Sequence, residues 1–141
     1  MQQSNINSSL YFNNYIVDKV YFKNNPKYEG DEASLEFSVF PNITVTDDRE
    51  NMVVELTVNI FEDAVKKNYP FEMSVTVIGF YSMHVQGEDI LTYQKNAIAI
   101  LYPYIRAIVS SYTANANVNP LLLPTINVNK LIEVQSAKKE G

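Results

Sequence analysis

Residues 96–112, NAIAILYPYIRAIVSSY, and residues 118–128, VNPLLLPTINV, decide the fold of this chain. Apolar residues recur at helical spacing in the first stretch, which predicts a helix with Pro103 inside it. A proline within a helix removes one backbone hydrogen bond and kinks the rod. The second stretch predicts a loop that is unusually apolar, since connections normally run polar over the surface. Its apolar residues are Val118, Leu121, Leu122, Leu123, Ile126 and Val128.

The chain before this helix alternates with the period of two that is typical of strands. Polar breaks divide it into four strands, and Pro41 within the second predicts an edge position or a bulge. The predicted strands cover residues 10–22, 33–46, 52–61 and 71–83, with a charged connection at 63–68. Their order predicts an α+β fold: a four-stranded antiparallel sheet, a long kinked helix, the apolar loop and a short C-terminal helix from Asn127.

Two periodic patterns predict which side chains share a face. In the first strand, strict alternation places one set on one face: Phe12, Asn14, Ile16, Asp18, Val20 and Phe22. Tyr11, Asn13, Tyr15, Val17, Lys19 and Tyr21 then lie on the other. In the helix, the predicted apolar stripe is Ala97, Leu101, Tyr104, Ile105, Ile108 and Tyr112, widened by Ile98, Ile100 and Val109.

Length and composition indicate one domain over residues 1–141, with residues 1–9 and 136–141 expected to fray. Hydrophobic residues make up 46 % of the chain and charged residues 19 %. The net charge of −5 disfavours a broad basic surface for nucleic acid and docking on an anionic membrane. The chain has no cysteine, no apolar signal core and no stretch long enough for membrane insertion, which favours a cytoplasmic protein.

No set of residues points to catalysis or to a bound cofactor. The lone His84 cannot build a multi-histidine metal site, and a structural or surface role fits it better. The acidic cluster Asp47, Asp48 and Glu50 lacks the glycine and the downstream glutamate of a calcium loop, so a solvated turn is expected. The sequence therefore predicts a protein that is not an enzyme and holds no metal or cofactor.

The apolar loop leaves two interpretations open. It can close over the sheet and complete the core, or it can wall a groove that holds something apolar. The first strand is apolar on both faces, whereas the chain supplies helices for only one. Self-association would bury this surplus. The interface predicted on this ground comprises Tyr11, Tyr15, Tyr21, Ala97, Leu101 and Ile108.

The helix and loop resemble those of the preprotein chaperone family SecB. In that family a helix containing aromatic-Pro-Tyr-x-Arg precedes a loop with alternating leucines, which ends in Pro-Val-Asn-Phe. The matching residues here are Tyr102 to Arg106, then Leu121 to Leu123 and Ile126 to Val128. The resemblance covers most of the chain and is most specific in this helix–loop signature.

The resemblance implies a homotetramer, built as a dimer of dimers, that holds extended non-native polypeptide or preprotein in apolar grooves without ATP. A wide apolar groove accepts many client sequences, because an extended chain offers alternating side chains and backbone groups. The expected groove residues are Phe22, Phe37, Tyr112, Val118, Leu121, Leu122, Leu123, Ile126 and Val128.

One departure concerns the SecA motor, which SecB proteins engage through acidic residues on the outer sheet face and a C-terminal tail. By position those acids become Lys19, Lys23 and Ser74 here, and the tail carries Lys138 and Lys139. Such a reversal opposes docking on a basic surface, so SecA binding is doubtful. The alternative is a chaperone or interaction protein for one partner, such as the antitoxin of a toxin–antitoxin pair.

Overall fold

A computed structural model of the protein describes residues 9–85 and 89–132. Four antiparallel strands form one sheet in the order β1-β4-β3-β2, and a long helix packs on one face of it. The elements are β1 (Ser9–Asn24), β2 (Phe37–Val45), β3 (Asn51–Ile60), α1 (Ala64–Lys67), β4 (Phe71–His84) and α2 (Ile90–Asn115). Residues 128–132 are helical. This confirms the predicted α+β fold with its long and short helices.

Of the two segments predicted to fray, only Ser9 lies among the described residues. Residues 1–8 and 136–141, which were expected to fray, lie outside the described residues. Ser9 was included in the predicted frayed segment, but it already pairs with His84 at the start of β1.

The hydrophobic core lies between α2 and the inner face of the sheet. Alternate residues of β3 are buried, from Met52 to Ile60, and β4 follows the same pattern from Phe71 to Met83. This alternation is what an antiparallel sheet with one covered face requires. The buried residues of α2 are Tyr93, Ala97, Ile98, Leu101, Tyr102, Ile105, Val109 and Thr113.

Gly79 allows α2 to approach the sheet closely. A Cβ atom at this position would lie 2.8 Å from Cε1 of Tyr81 and 3.1 Å from Cδ1 of Leu101. The Tyr81 hydroxyl donates a 2.7 Å hydrogen bond to the carbonyl of Ala97. Burial raises the pKa of Tyr81, so this phenol stays a donor. Helix and sheet are therefore joined by close packing and by one buried polar contact.

The predicted faces of β1 are wrong from Asn14 to Val17, because β-bulges on either side of this segment interrupt the alternation. The register with β4 shifts between Phe12 and Asn14 and again between Val17 and Lys19. A bulge adds one residue to a single strand, so simple counting no longer assigns faces correctly. The side of β1 facing α2 carries Leu10, Phe12, Tyr15, Val17, Val20 and Phe22, as their partners on β4 show.

Three smaller findings concern β2, α1 and α2. Pro41 lies in β2, an edge strand, as predicted. The charged connection predicted at 63–68 contains the four-residue helix α1, which is too short to leave a periodic signal. The predicted α2 stripe is wrong at Tyr104 and Tyr112, which are exposed, whereas Ile98 and Val109 are buried as predicted and Tyr102, which was not included, is buried too.

Candidate functional site

The side chains of the three consecutive leucines of the apolar loop lie in three different environments. Leu123 is 0 % exposed and belongs to the core, whereas Leu122 is 69 % exposed. Val118 and Leu121 are half-buried and pack against the core from one side. Each of the two interpretations therefore describes part of the loop: Leu123 closes the core, and Val118 and Leu121 form a wall.

That wall borders a cavity of about 200 Å³, here called the anchor pocket. Phe61, Pro70 and Phe71 contribute apolar surface, and the connection between β1 and β2 supplies the opposite wall. The complete lining is Tyr28, Asp31, Glu32, Ala33, Phe61, Pro70, Phe71, Val118, Asn119, Pro120 and Leu121. A concave apolar site with a few polar groups at its edge suits an apolar side chain.

Two asparagines fix the wall formed by the β1–β2 connection. The buried Asn25 donates from Nδ2 to the carbonyls of Ala64 and Tyr69, at 3.2 and 2.9 Å. The Asn68 side chain bonds both backbone groups of Glu29, donating to its carbonyl at 2.8 Å and accepting from its N–H at 3.0 Å. Tyr28 and the acidic edge of the pocket are thereby tied to the α1 region.

A second apolar region, here called the β1–α2 surface, lies beside the helix. It comprises Tyr15, Val17 and Val20 of β1 and Tyr104, Ile108 and Tyr112 of α2. The three helix residues are four apart, so they form one row along α2. Val17 is 47 % exposed and Val20 37 %, although both are on the face of β1 that α2 covers elsewhere. The helix therefore leaves the edge of the sheet uncovered.

Aromatic rings close both ends of the β1–α2 surface. At one end Tyr15 lies 4.4 Å from Tyr104, measured between ring centroids. At the other end Phe22 lies 5.3 Å from Tyr112 and 5.0 Å from Phe71. Since Phe71 also lines the anchor pocket, the two apolar regions are continuous through Phe22.

The predicted groove residues are thus only partly brought together. Val118 and Leu121 line the anchor pocket, and Phe22 with Tyr112 adjoins it. Phe37 lines a different cavity of about 370 Å³ with Glu36. Ile126 and Val128 are half-buried against the core.

The predicted interface residues divide in a similar way. Ala97 and Leu101 are covered completely within the monomer, so the structure places them in the core and not at a surface. This corrects the prediction. Both residues are buried because the centre of the apolar stripe of α2 packs against the sheet. Tyr15 and Ile108 lie on the β1–α2 surface. Tyr11 and Tyr21 pair with Ser82 and Ser74 on the opposite, outer face of the sheet.

The outer face carries no α2 packing, and polar side chains lie there beside exposed apolar ones such as Tyr11 and Ile16. Hydroxyls of Thr57 and Thr76 share a 2.8 Å hydrogen bond, and Ser74 donates to Oδ1 of Asn59 at 2.7 Å. Lys19 is opposite Thr76 and is exposed. Lys23 is also exposed there, opposite Glu72 on β4. The two lysines that are predicted to stand where the family carries acids are therefore solvent-accessible cations.

The anchor pocket includes residues that the sequence did not single out as functional. Tyr28, Asp31 and Glu32 come from a connection without periodicity, Ala33 began the predicted second strand but precedes the observed β2, and Pro70 precedes β4. The apolar Phe61 and Phe71 had been assigned to strands, and only the folded chain brings them beneath Val118. Phe61 and Phe71 are far from Val118 in the sequence, so no local sequence pattern indicates that they share a pocket.

Two further properties bear on what the described residues can do. No helix among residues 9–85 and 89–132 combines the length and the hydropathy needed to cross a bilayer. Across the same ranges, no three His, Asp or Glu side chains are grouped so that they could hold a metal ion.

Comparison with known proteins identifies the family to which this chain belongs. Residues 15–139 match the family model of SecB, the preprotein translocase subunit. The chain belongs to the SecB family. It is also 33 % identical over 140 residues to an uncharacterised protein of Methanocaldococcus jannaschii, covering 94 % of this chain and 89 % of that protein.

Two solved structures share the fold. The SecB-like chaperone Rv1957 of Mycobacterium tuberculosis, in complex with a ChAD peptide from the HigA1 antitoxin, aligns with a TM-score of 0.62 and 16 % identity. The alignment covers 84 % of this chain and 88 % of that one. A protein of unknown function from Streptococcus agalactiae aligns with a TM-score of 0.52 and 12 % identity, over 84 % and 98 % of the two chains.

Proposed function

We propose that this protein is a holdase chaperone that binds extended, non-native polypeptide without ATP and performs no catalysis. The observation that carries the proposal is the continuity of the anchor pocket with the exposed β1–α2 surface through Phe71 and Phe22. An extended client can place one side chain in the pocket and lay others along an apolar surface. Little selectivity is expected, because an open apolar surface accepts many sequences.

Membership of the SecB family supports this proposal, and so does the Rv1957 complex, in which a relative with the same fold holds an antitoxin peptide. Holding a chain before it is exported or folded is a task for the cytoplasm, where we place the protein. The clients are non-native polypeptides or preproteins, and neither a cofactor nor nucleic acid takes part.

We also propose a homotetramer formed by two dimers. Strand β1 is an edge strand with apolar side chains exposed on both faces: Tyr15, Val17 and Val20 towards α2, and Tyr11 and Ile16 on the outer face. An edge strand presents unpaired backbone groups, and a long apolar one favours pairing with another chain. A second copy would supply the missing hydrogen bonds and cover β1, and the neighbouring row of Tyr104, Ile108 and Tyr112 on α2 would be left for the client.

The double substitution Val118→Ala with Leu121→Ala is expected to weaken client binding about 10- to 100-fold. It removes about five apolar carbons from one wall, each worth ~0.8 kcal/mol when fully covered by a client, and ~1.4 kcal/mol is a factor of ten. A permanently unfolded, carboxymethylated lactalbumin serves as the client in a calorimetric titration. Prevention of its aggregation, with no nucleotide added, tests the holdase activity itself.

Val65→Ala is the matched control, since Val65 is an exposed valine of α1 that does not line the anchor pocket. Thermal unfolding is measured for every variant, so that a loss of fold is not read as a loss of binding. Unchanged affinity in a well-folded double variant would remove the anchor pocket from the proposal.

A second candidate, service to one dedicated partner such as an antitoxin, is favoured by the charges of the outer face. We expect SecA to bind weakly or not at all, because Lys19 and Lys23 are exposed where the family carries acids. Like charges across an interface can cost several kcal/mol. Replacing Lys19→Asp together with Lys23→Glu is expected to raise SecA affinity and make it salt-sensitive in a binding titration.

Lys95→Asp with Lys130→Glu changes the net charge equally at positions away from the outer face and is the control. Tight SecA binding by the unmodified protein would contradict the assignment of these two lysines, and would favour the export role.

A further inference from the structure

Three side chains of α2 bind the backbone of the apolar loop at successive points. The Leu121 N–H donates to Oγ1 of Thr113 at 2.8 Å. Nε of Arg106 donates to the carbonyl of Leu123 at 2.9 Å, and the Tyr102 hydroxyl donates to the carbonyl of Pro124 at 2.6 Å. The loop segment 118–127 is neither helix nor strand, so these bonds replace the backbone pairing that regular structure would provide.

The first and the last of these contacts are made by buried side chains, Thr113 and Tyr102. Thr113 is 0 % exposed, and its hydroxyl also donates to the carbonyl of Val109 at 2.8 Å, so it accepts from Leu121 in a fixed direction. Tyr102 is buried as well, and burial raises the pKa of its phenol, which keeps the proton that it donates to Pro124. Breaking either bond would leave a polar group of a buried side chain without this partner, which costs free energy even where the bond is only partly shielded from water.

One of these contacts holds the wall of the anchor pocket itself, at Leu121, and the other two hold the loop just after it. Leu121 is held through its own N–H, and Leu123 is held through its carbonyl while its side chain fills the core. Leu121 is therefore fixed at the cavity's edge, and Val118 lies in the short segment between the end of α2 and this fixed point. Without the bonds, the half-buried wall would be free to fold onto Phe71 or to swing away from it.

We infer that Thr113, Arg106 and Tyr102 are positioning residues that keep the anchor pocket formed before a client arrives. They contribute to affinity by preorganisation and not by touching the client, since a site already in its bound shape has less disorder to lose on binding. This inference rests on the proposed function of the anchor pocket. It adds that the state of the loop in the free protein sets the affinity for clients.

The test compares Thr113→Val, which keeps the shape and removes the hydroxyl, with Thr113→Ser, which keeps the hydroxyl. Hydrogen exchange of the Leu121 amide in the free protein reports directly whether the loop is held by its hydrogen bond to Thr113. We expect faster exchange and about 3- to 10-fold weaker binding of carboxymethylated lactalbumin for Thr113→Val, corresponding to the loss of one hydrogen bond. Thr113→Ser should restore both values towards those of the unmodified protein.

Tyr102→Phe provides a second variant at the other end of the loop, should Thr113→Val fail to fold. It removes only the bond to Pro124 and should change exchange and affinity in the same direction. Thermal unfolding accompanies each variant, and a general loss of stability would accelerate exchange throughout α2 as well as at Leu121.

Faster exchange at Leu121 with unchanged client affinity would overturn the inference, as would an unprotected Leu121 amide in the unmodified protein. A different result separates the two proposals. In that result, the unmodified protein binds no client, its Leu121 amide is protected from exchange, and Thr113→Val removes the protection. The proposed function would then fail, whereas the restraint of the loop by α2 would stand.

Discussion

Replacing Leu123 with alanine is expected to lower the free energy of unfolding by about 2–5 kcal/mol, the range for a buried leucine whose site cannot fully collapse. Leu123 is 0 % exposed and lies among core residues contributed by α2 and the sheet. Its backbone carbonyl is held by Arg106, so the loop cannot easily move inward to fill the space. Urea unfolding followed by circular dichroism measures the effect.

Leu122→Ala is the matched control, with the same chemical change one residue away. Its side chain is mostly exposed, so the expected change is within about 0.5 kcal/mol. Client binding is measured on both variants, because only a folded loop can report on its surface. Equal losses of stability at the two positions would contradict the division of the loop into a core residue and a surface residue.

The second large effect is expected on assembly. In sedimentation at micromolar concentration, the unmodified protein should have four times the 16.1 kDa mass of one chain. Val17→Lys combined with Val20→Lys should dissociate it, because each lysine would have to be buried without a partner at the edge of β1. In a two-fold symmetric interface every substitution occurs twice, which doubles the penalty.

Asn42→Lys with Thr44→Lys adds the same charge to exposed positions of β2, the other edge strand, and should leave assembly intact. A monomeric unmodified protein would refute self-association. A tetramer that survives both lysines of β1 would instead move the interface away from this strand.

The sequence predicts most of the fold because three of its signals are local. In β3 and β4 every second residue is a buried one that faces α2, and the residues between them are less buried except for Thr76. Pro41 fits the edge strand in which it occurs, and helical spacing identifies α2 from a long run of residues. In each case the signal is repeated over several residues, so single exceptions do not obscure it.

Strand β1 was predicted less well, for a physical reason. Apolar residues occur on both of its faces, so the pattern specifies register only weakly. The bulges at Asn13 and Asp18 are revealed by the pairing with β4, which lies about sixty residues further along the chain. Simple alternation therefore assigned Tyr15 and Val17 to the outer face, whereas their partners Gly79 and Val77 place them towards α2.

The candidate site was predicted only in part, since it is built by loops. Val118 and Leu121 stood out because apolar residues are unusual in a connection, but nothing local distinguishes Leu121 from Leu122 and Leu123. Their environments are set by the hydrogen bonds from α2, which depend on the folded arrangement. Tyr28 and Glu32 on the opposite wall have no periodic context at all.

The two bulges also bear on how relatives of this chain are to be aligned. Strand β1 has 16 residues and spans 14 residues of β4, so its length exceeds that of its partner by the two bulged positions. A related chain that lacks a residue at either position can keep every cross-strand pair. Alignment gaps in this strand therefore belong at Asn13 and Asp18. A charged residue such as Lys19 is best compared between relatives by the residue of β4 with which it pairs, here Thr76.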